Sequence, residues 1–311
     1  MVLWRQVYHV NRLEDLMTLR NECWISNFVK EERMNSTRPA VLIVILNYVT
    51  YDLTLKVIED IHADLDYDNY AIMVVDNCSP NESTEILEKK SKELNYLFYA
   101  NRSNAGYAAG NNIGIRYGIE HNYQYSWILN NDVELREKNI LKELVDVLEE
   151  KDTIACIGPK IYNADGAVCA PYCRRPTVWN QSLGAFEDRR YRISKQNTAG
   201  EVYRVYGCCM LLRNKAMAEV DCMDERTFLY GEEDILSERL VQKGYRTYYE
   251  PTVSITHLGS VSIKKSSPDS KRRMLKLQQE SRELYLKEYR HYSRIERWIW
   301  HAARQLRAYM N

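Results

Sequence analysis

The 311 residues, 45% apolar and 28% charged, suffice for a sizeable buried core and exclude a disordered, collagenous or solenoid chain. The 43 basic and 43 acidic residues cancel, which excludes nucleic-acid binding by bulk charge. No apolar run approaches bilayer length, the first residues lack the basic-then-apolar pattern of a secretory signal, and the eight cysteines then predict reduced thiols in an intracellular, cytoplasmic protein.

Residues 1–40 read as an N-terminal extension, of which 1–33 show no clear pattern and Met34 is an alternative start. Val41–Leu46 is short and β-branched, as a strand buried on both faces should be. Tyr51–Ala63 has helical spacing, Ala71–Val75 is a second strand closed by the turn Asp76–Pro80, and Glu82–Leu94 is a second helix. Tyr96–Ala100 is a third strand, Ala105–His121 a helix interrupted by glycines, and Tyr125–Leu129 a fourth strand ending in Asn130-Asn131-Asp132. Leu141, Leu144, Val145 and Leu148 mark the next helix and Thr153–Ile157 the next strand. This alternation predicts an α/β fold, a mostly parallel Rossmann-like sheet with helices on both faces. Residues 161–200 lose the rhythm and read as a long, arginine-rich mobile loop with short strands. Order returns in Val202–Leu212, a helix over Glu232–Lys243, and strands at Arg246–Tyr249 and Val253–Thr256.

The tail, 263–311, predicts helix. From Lys264 to Asn311 there are 13 basic and 5 acidic residues, a net of +8, so the remainder carries −8. Tyr285, Tyr289, Tyr292, Ile295, Ile299, Ala302, Leu306 and Tyr309 recur at steps of three and four, with arginines off the stripe and Trp298 and Trp300 nearby. A basic amphipathic helix of this kind suits an anionic membrane surface; packing against the acidic body or dimerising are the other readings.

In open parallel sheets ligands bind beyond the carboxyl ends of the strands. Here those positions hold Asn47 and Tyr48, Asp76 and Asn77, Asn101 to Gly106, and Asn130 to Asp132. Each cluster alone would pass for ordinary turn chemistry. The turn after the first strand lacks glycine and no Walker A sequence is present, which removes a dinucleotide cradle and a P-loop. A nucleotide held by side chains remains, with Asp132 as the hard-oxygen ligand for a divalent cation beside a leaving diphosphate. The cysteine spacings match no structural zinc site.

Val74-Val75-Asp76-Asn77-Cys78-Ser79-Pro80, Asn104-Ala105-Gly106-Tyr107-Ala108-Ala109-Gly110-Asn111-Asn112 and Leu129-Asn130-Asn131-Asp132-Val133 resemble the successive motifs of glycosyltransferase family 2, in its bacterial rhamnosyltransferase-like subgroup. Phe228-Leu229-Tyr230-Gly231-Glu232-Glu233-Asp234, Arg239-Leu240, Gly244-Tyr245-Arg246, and His257 with Gly259 and Ser262 continue the pattern in order. The resemblance implies a GT-A fold with a nucleotide-sugar-binding half (41–160), an acceptor-binding and catalytic half (161–262), and inverting transfer. It places the nucleobase at Asp76 and the donor among Asn47, Asn77, Asn104, Gly106, Asn111, Asn130 and Asn131. The metal ligands it implies are Asp132 and His257, holding Mn²⁺ (or Mg²⁺), with imidazole favouring manganese.

Inversion needs a base for the acceptor hydroxyl. Glu232, Glu233 and Asp234 open a helix, where its positive end favours ionised carboxylates. A gapless match puts Glu233 at the catalytic position, and a one-residue shift puts Asp234 there. The expected activity is transfer from dTDP-rhamnose or a UDP-hexose to a saccharide or lipid-linked saccharide in surface polysaccharide synthesis, peripheral to the inner face of the plasma membrane. A nucleotide-sugar-binding protein without catalysis and a membrane scaffold are the alternatives.

Overall fold

A computed structural model describes residues 37–180, 184–259 and 268–310. The readings of the first 36 residues, of Met34 as a start and of Ser262 lie outside these residues, as do the side chains of Leu306 and Tyr309.

Strands β1 (Val41–Asn47), β2 (Tyr70–Asp76), β3 (Leu97–Ala100) and β4 (Tyr125–Asn130) lie parallel in the order β3-β2-β1-β4. The helices between them are α1 (Tyr51–Asp64), α2 (Ser83–Lys90) and α3 (Tyr107–Glu120). Beyond β4 come β5 (Val133–Leu135), α4 (Ile140–Glu150), β6 (Ile154–Asn163), α5 (Ala185–Ser194), β7 (Gly200–Val202) and β8 (Cys209–Arg213). The chain continues through α6 (Asn214–Glu219), α7 (Glu232–Gln242), β9 (Arg246–His257), α8 (Pro268–Leu284), a π-helical turn at Tyr285–Tyr289, and α9 (Arg294–Met310).

The unbroken apolar run of β1 is explained by burial on both faces. Val41, Ile43 and Ile45 point into one core with Val57, Ile58 and Ile61 of α1 and Leu141, Leu144 and Leu148 of α4. Leu42 and Val44 point into the other, with Ile115 of α3 and Ala216 and Met217 of α6. Each aliphatic side chain so buried contributes roughly 1.5–3 kcal/mol. Helix α3 lies unusually close to β1: a Cβ on Gly110 would stand 2.5 Å from Leu46, and one on Gly114 2.4 Å from Val44. These two glycines therefore serve packing.

The sheet departs from the parallel expectation at β8, which is antiparallel to both β4 and β6. The run Val202–Leu212 divides: its start forms β7 on β9, and its end forms β8 at the sheet centre. Conversely, the two strands expected at Arg246–Tyr249 and Val253–Thr256 are one strand parallel to β6. Pairing jumps from Pro159↔Glu250 to Lys160↔Ser254, so Pro251, Thr252 and Val253 bulge out of register, where a proline without an N–H is tolerated.

The 161–200 segment is not one long loop, because it contains α5. Among its arginines, Arg192 donates to the carbonyls of Pro171 and Ala170 and stacks on Tyr172, and Arg174 stacks on Tyr191. The tail is likewise not one continuous stripe. Tyr285, Leu286 and Trp300 are buried with Ile235 of α7, while residues 290–293 break the helix.

Candidate functional site

The four strand ends predicted to carry the chemistry do converge, and their side chains bind one another. The Asp76 carboxylate is fully buried and accepts four hydrogen bonds. Asn47 Nδ2 (2.7 Å) and Ser79 Oγ (2.6 Å) donate to Oδ1; Ser79 N (3.0 Å) and Thr84 Oγ1 (2.8 Å) donate to Oδ2. A carboxylate offers about four lone-pair sites, and all four are engaged within the chain. Asp76 thus locks the β2 turn to β1.

Asn47 is as fully used, since its Oδ1 accepts from Thr54 Oγ1 at 2.8 Å and from Asn131 Nδ2 at 3.4 Å. Asn131 also donates to Thr50 Oγ1 (3.0 Å) and Thr54 Oγ1 (2.9 Å), tying the β4 end to the start of α1. On the other side, Asn77 donates to Asn104 Oδ1 (3.0 Å) and the Gly106 carbonyl (3.1 Å), and accepts from Asn101 (3.1 Å). Gly106 is at φ +98°, and a Cβ there would lie 2.2 Å from the Phe228 carbonyl oxygen, so only glycine fits. Asn111 is buried inside α3 and donates to the Tyr107 carbonyl at 3.0 Å, while its Oδ1 has no hydrogen-bond partner among the described residues. Asn130 is half-buried, with its backbone N–H on the Cys208 carbonyl at 3.0 Å.

Sequence reasoning passed over Ser79, Thr54 and Thr84, which complete this network. It also passed over Val49, a β-branched residue at φ +72° whose N–H is held by Ser79 Oγ (2.8 Å) and whose carbonyl accepts from Asn81 (2.9 Å). Nothing in a periodicity marks such a position.

Asp132 and His257 meet. Three-residue β5 pairs antiparallel with the end of β9, setting Val133 opposite His257, and Leu258 N–H binds the Asp132 carbonyl at 2.9 Å. This brings His257 Nε2 to 3.2 Å from Asp132 Oδ1. That oxygen is buried, and the approach lacks hydrogen-bond geometry, so it has no hydrogen-bond partner among the described residues. An orphaned buried carboxylate oxygen beside an imidazole fits a divalent cation. Among the described residues no cluster of three or more His, Cys, Asp and Glu would hold a metal unaided, so a ligand or water would complete its coordination.

The acidic triplet opens α7, with Gly231 in the left-handed conformation as its cap. Its members differ in surroundings. Glu232 is buried, its Oε2 has no hydrogen-bond partner among the described residues, and burial followed by the neighbouring Glu233 pushes it up to about 8. Asp234 lies 2.8 Å from Arg204 Nε as an ion pair outside hydrogen-bond geometry. Burial opposes the charge of Arg204, but Asp234 and then Glu233 raise it above its ordinary range, and the guanidinium stacks 3.5 Å above Tyr172. Glu233 is half-buried, and its Oε1 accepts from Gly207 N–H at 3.1 Å. The carbonyl of the same residue, Gly207, accepts from Tyr107 OH at 2.6 Å. The next residue, Cys208, is bonded to the β4 end. Burial, Cys209 and then the carboxylates of Asp132 and Glu233 hold its thiol well above the ordinary range. Residues 207 and 208 therefore bridge the Asp132 end of β4 to the acidic end of α7.

The fold has known counterparts. The mannosyltransferase PcManGT of Pyrobaculum calidifontis, solved with GDP-Man and Mn²⁺, superposes with a TM-score of 0.58 at 16% identity, over 87% of this chain and 70% of that one. That likeness shows the GT-A fold. In sequence, the Haloferax volcanii low-salt glycan biosynthesis hexosyltransferase Agl10 is 26% identical over 162 residues, 52% of this chain and 50% of the relative. The Mycobacterium tuberculosis N-acetylglucosaminyl-diphospho-decaprenol L-rhamnosyltransferase is 28% identical over 143 residues, 42% of this chain and 46% of the relative. The chain spans about half the length of these curated relatives. Residues 41–221 match the family described as glycosyl transferase family 2. The chain belongs to glycosyl transferase family 2.

Proposed function

We propose that this chain transfers a sugar, with inversion, from a nucleotide-diphosphate donor such as dTDP-rhamnose or a UDP-hexose to a saccharide or lipid-linked saccharide acceptor. The setting is surface polysaccharide synthesis at the cytoplasmic face of the membrane. Residues 41–160 serve the donor and 161–262 the acceptor. The observation that carries this reading is the buried, orphaned Asp132 Oδ1 at 3.2 Å from His257 Nε2, on the carboxyl edge of the sheet. Asp132 and His257 would hold Mn²⁺ (or Mg²⁺), which supplies charge neutralisation for a departing diphosphate. Asn77, Asn104 and Gly106 shape the loop that receives the nucleotide, while Asp76 and Asn47 fix it from beneath.

Glu233 is the general base of this reading. It takes the proton of the acceptor hydroxyl as that oxygen bonds to the anomeric carbon and the diphosphate leaves with its bonding electrons. Its surroundings support the choice over Asp234, because Arg204 already neutralises Asp234. Thermal unfolding with UDP or dTDP, each with and without Mn²⁺, tests the donor site. A rise of about 2.7 kcal/mol in stability is expected at a hundredfold excess over Kd, only when metal and nucleotide are both present and not in Asp132→Asn. No shift under any combination would remove the donor site. For the base, Glu233→Gln should abolish transfer and spare donor binding; the same outcome from Asp234→Asn alone would reassign the role.

A further inference from the structure

Helix α9 sits on the body by the side opposite to its apolar stripe. Trp300, off the stripe, enters the cluster of Ile235, Tyr285 and Leu286. On the same side Arg297 donates to the Tyr292 carbonyl at 2.6 Å, and both Arg297 and His301 pair with Glu283 of α8, at 2.5 and 3.1 Å. The first turns of the stripe on α9 face outward, with the neighbouring tryptophan: Ile295 is 71%, Ile299 42% and Trp298 70% exposed. An amphipathic helix that anchors itself by its polar side leaves an apolar face for something else to cover.

We infer that Ile295, Trp298 and Ile299 form the contact of this chain with an anionic phospholipid bilayer. Three large side chains fall far short of the roughly 20–30 residues a side of a stable protein interface, which argues against a second copy. They are enough for an interfacial helix, whose tryptophan sits at headgroup level and whose affinity adds apolar burial to charge attraction. The charge is of the right sign, since residues 264–311 carry a net +8. Arg294, exposed and one turn before Trp298, flanks the face, and Arg272, Arg273 and Lys276 are exposed on α8. No helix among the described residues is long and apolar enough to cross a membrane, so the contact is peripheral.

Vesicle flotation of the full chain tests this without reference to sugar transfer. Binding to vesicles containing phosphatidylglycerol should exceed binding to pure phosphatidylcholine by roughly tenfold, weaken at high salt, and fall by roughly tenfold in the triple variant Ile295→Ser, Trp298→Ser, Ile299→Ser. Because the three side chains are exposed, the variant should keep the parent melting temperature. Equal vesicle binding by parent and variant would overturn the proposal. So would a dimer of the parent that the variant loses in light scattering, which would assign the face to a second copy. A large fall in the variant's melting temperature without vesicles would also overturn it, by showing that another part of the chain covers the face.

Discussion

Glu238 of α7 offers the sharpest test of how the tail is held. Its carboxylate is buried and forked by Arg175, with Nε on Oε1 at 2.7 Å and a second contact from Nη2 to Oε2. Oε1 also accepts from Tyr203 OH at 2.9 Å and Tyr285 OH at 3.2 Å, and Arg290 Nε stands 3.8 Å away. Glu238→Gln keeps the volume and leaves an oxygen for the tyrosines, but turns an amide N–H₂ towards Arg175 and removes the one negative charge facing two guanidiniums. Arg175 is half-exposed and can turn to water; Arg290, with its side chain 7% exposed, cannot. Breaking a buried pair from one side costs about 3–5 kcal/mol, whereas Arg175→Ala should cost less, because Tyr203, Tyr285 and Arg290 still face the buried carboxylate. Urea unfolding followed by far-UV circular dichroism reads both as shifts in midpoint at constant slope. Adding Arg290→Met to Glu238→Gln should recover part of the loss, because the uncompensated buried charge goes with it. A Glu238→Gln loss below about 1 kcal/mol, or strict additivity with Arg290→Met, would refute the claim that this carboxylate fastens the tail to α7.

Three further outcomes are expected. A Cβ on Gly207 would lie 2.9 Å from Glu233 Oε1 and 3.3 Å from Tyr107 OH, so Gly207→Ala should push Glu233 aside and lower kcat about a hundredfold with donor affinity unchanged, measured by steady-state transfer and nucleotide titration. Glu232 carries a folded-state value raised to about 8, so its burial costs stability increasingly as pH rises from its ordinary 4.5 through 8. Glu232→Gln should therefore stabilise by roughly 1–3 kcal/mol at pH 9 and make no difference near pH 4, read by thermal unfolding across pH. Asp224 has the opposite sign: burial raises it, but Arg226 and Tyr289 win and hold it down to about 2. The stability it contributes, roughly 1–2 kcal/mol, is complete above its unfolded value near 4 and lost as pH falls through 2, so Asp224→Asn should be weaker at neutral pH and converge with the parent in acid.

The sequence made the first four strands legible because two-sided burial writes itself as unbroken apolar runs, and β1 is such a run from Val41 to Leu46. It hid β5, whose three residues are too short for any period, although β5 is what carries Asp132 to His257. It hid α5 because Ala185–Ser194 has little apolar face to signal a helix. Asp76 stands out in the sequence, but a chain of letters does not show that Asn47, Ser79 and Thr84 engage its four acceptor positions. In the tail, spacing identified the apolar stripe, but spacing cannot say which side of a helix is bound. One large off-stripe residue, Trp300, together with a salt bridge to Glu283, decided it.

Helix α7 joins these observations. Its first turn holds three carboxylates that repel one another, and the helix dipole alone offsets only about 0.3–1 kcal/mol for each. The rest comes from groups that reach it from elsewhere in the chain: Gly207 N–H for Glu233 and Arg204 for Asp234, while Glu232 is relieved by taking up a proton. Tyr203, beside Arg204, donates to both the Asp234 carbonyl and Glu238, one turn further along α7, and shares a 2.7 Å hydrogen bond with Tyr285 of the tail. The segment 203–208 is therefore bonded at one end to the tail and at the other to the β4 strand end beside Asp132. Since β7 and β8 lie on different parts of the sheet, this segment is held by a single backbone bridge, Arg204 to Tyr172, and otherwise by its side chains. That is why a stretch which the sequence reads as part of one ordered run, Val202–Leu212, ends up joining the proposed base to the strand end of the proposed metal ligand.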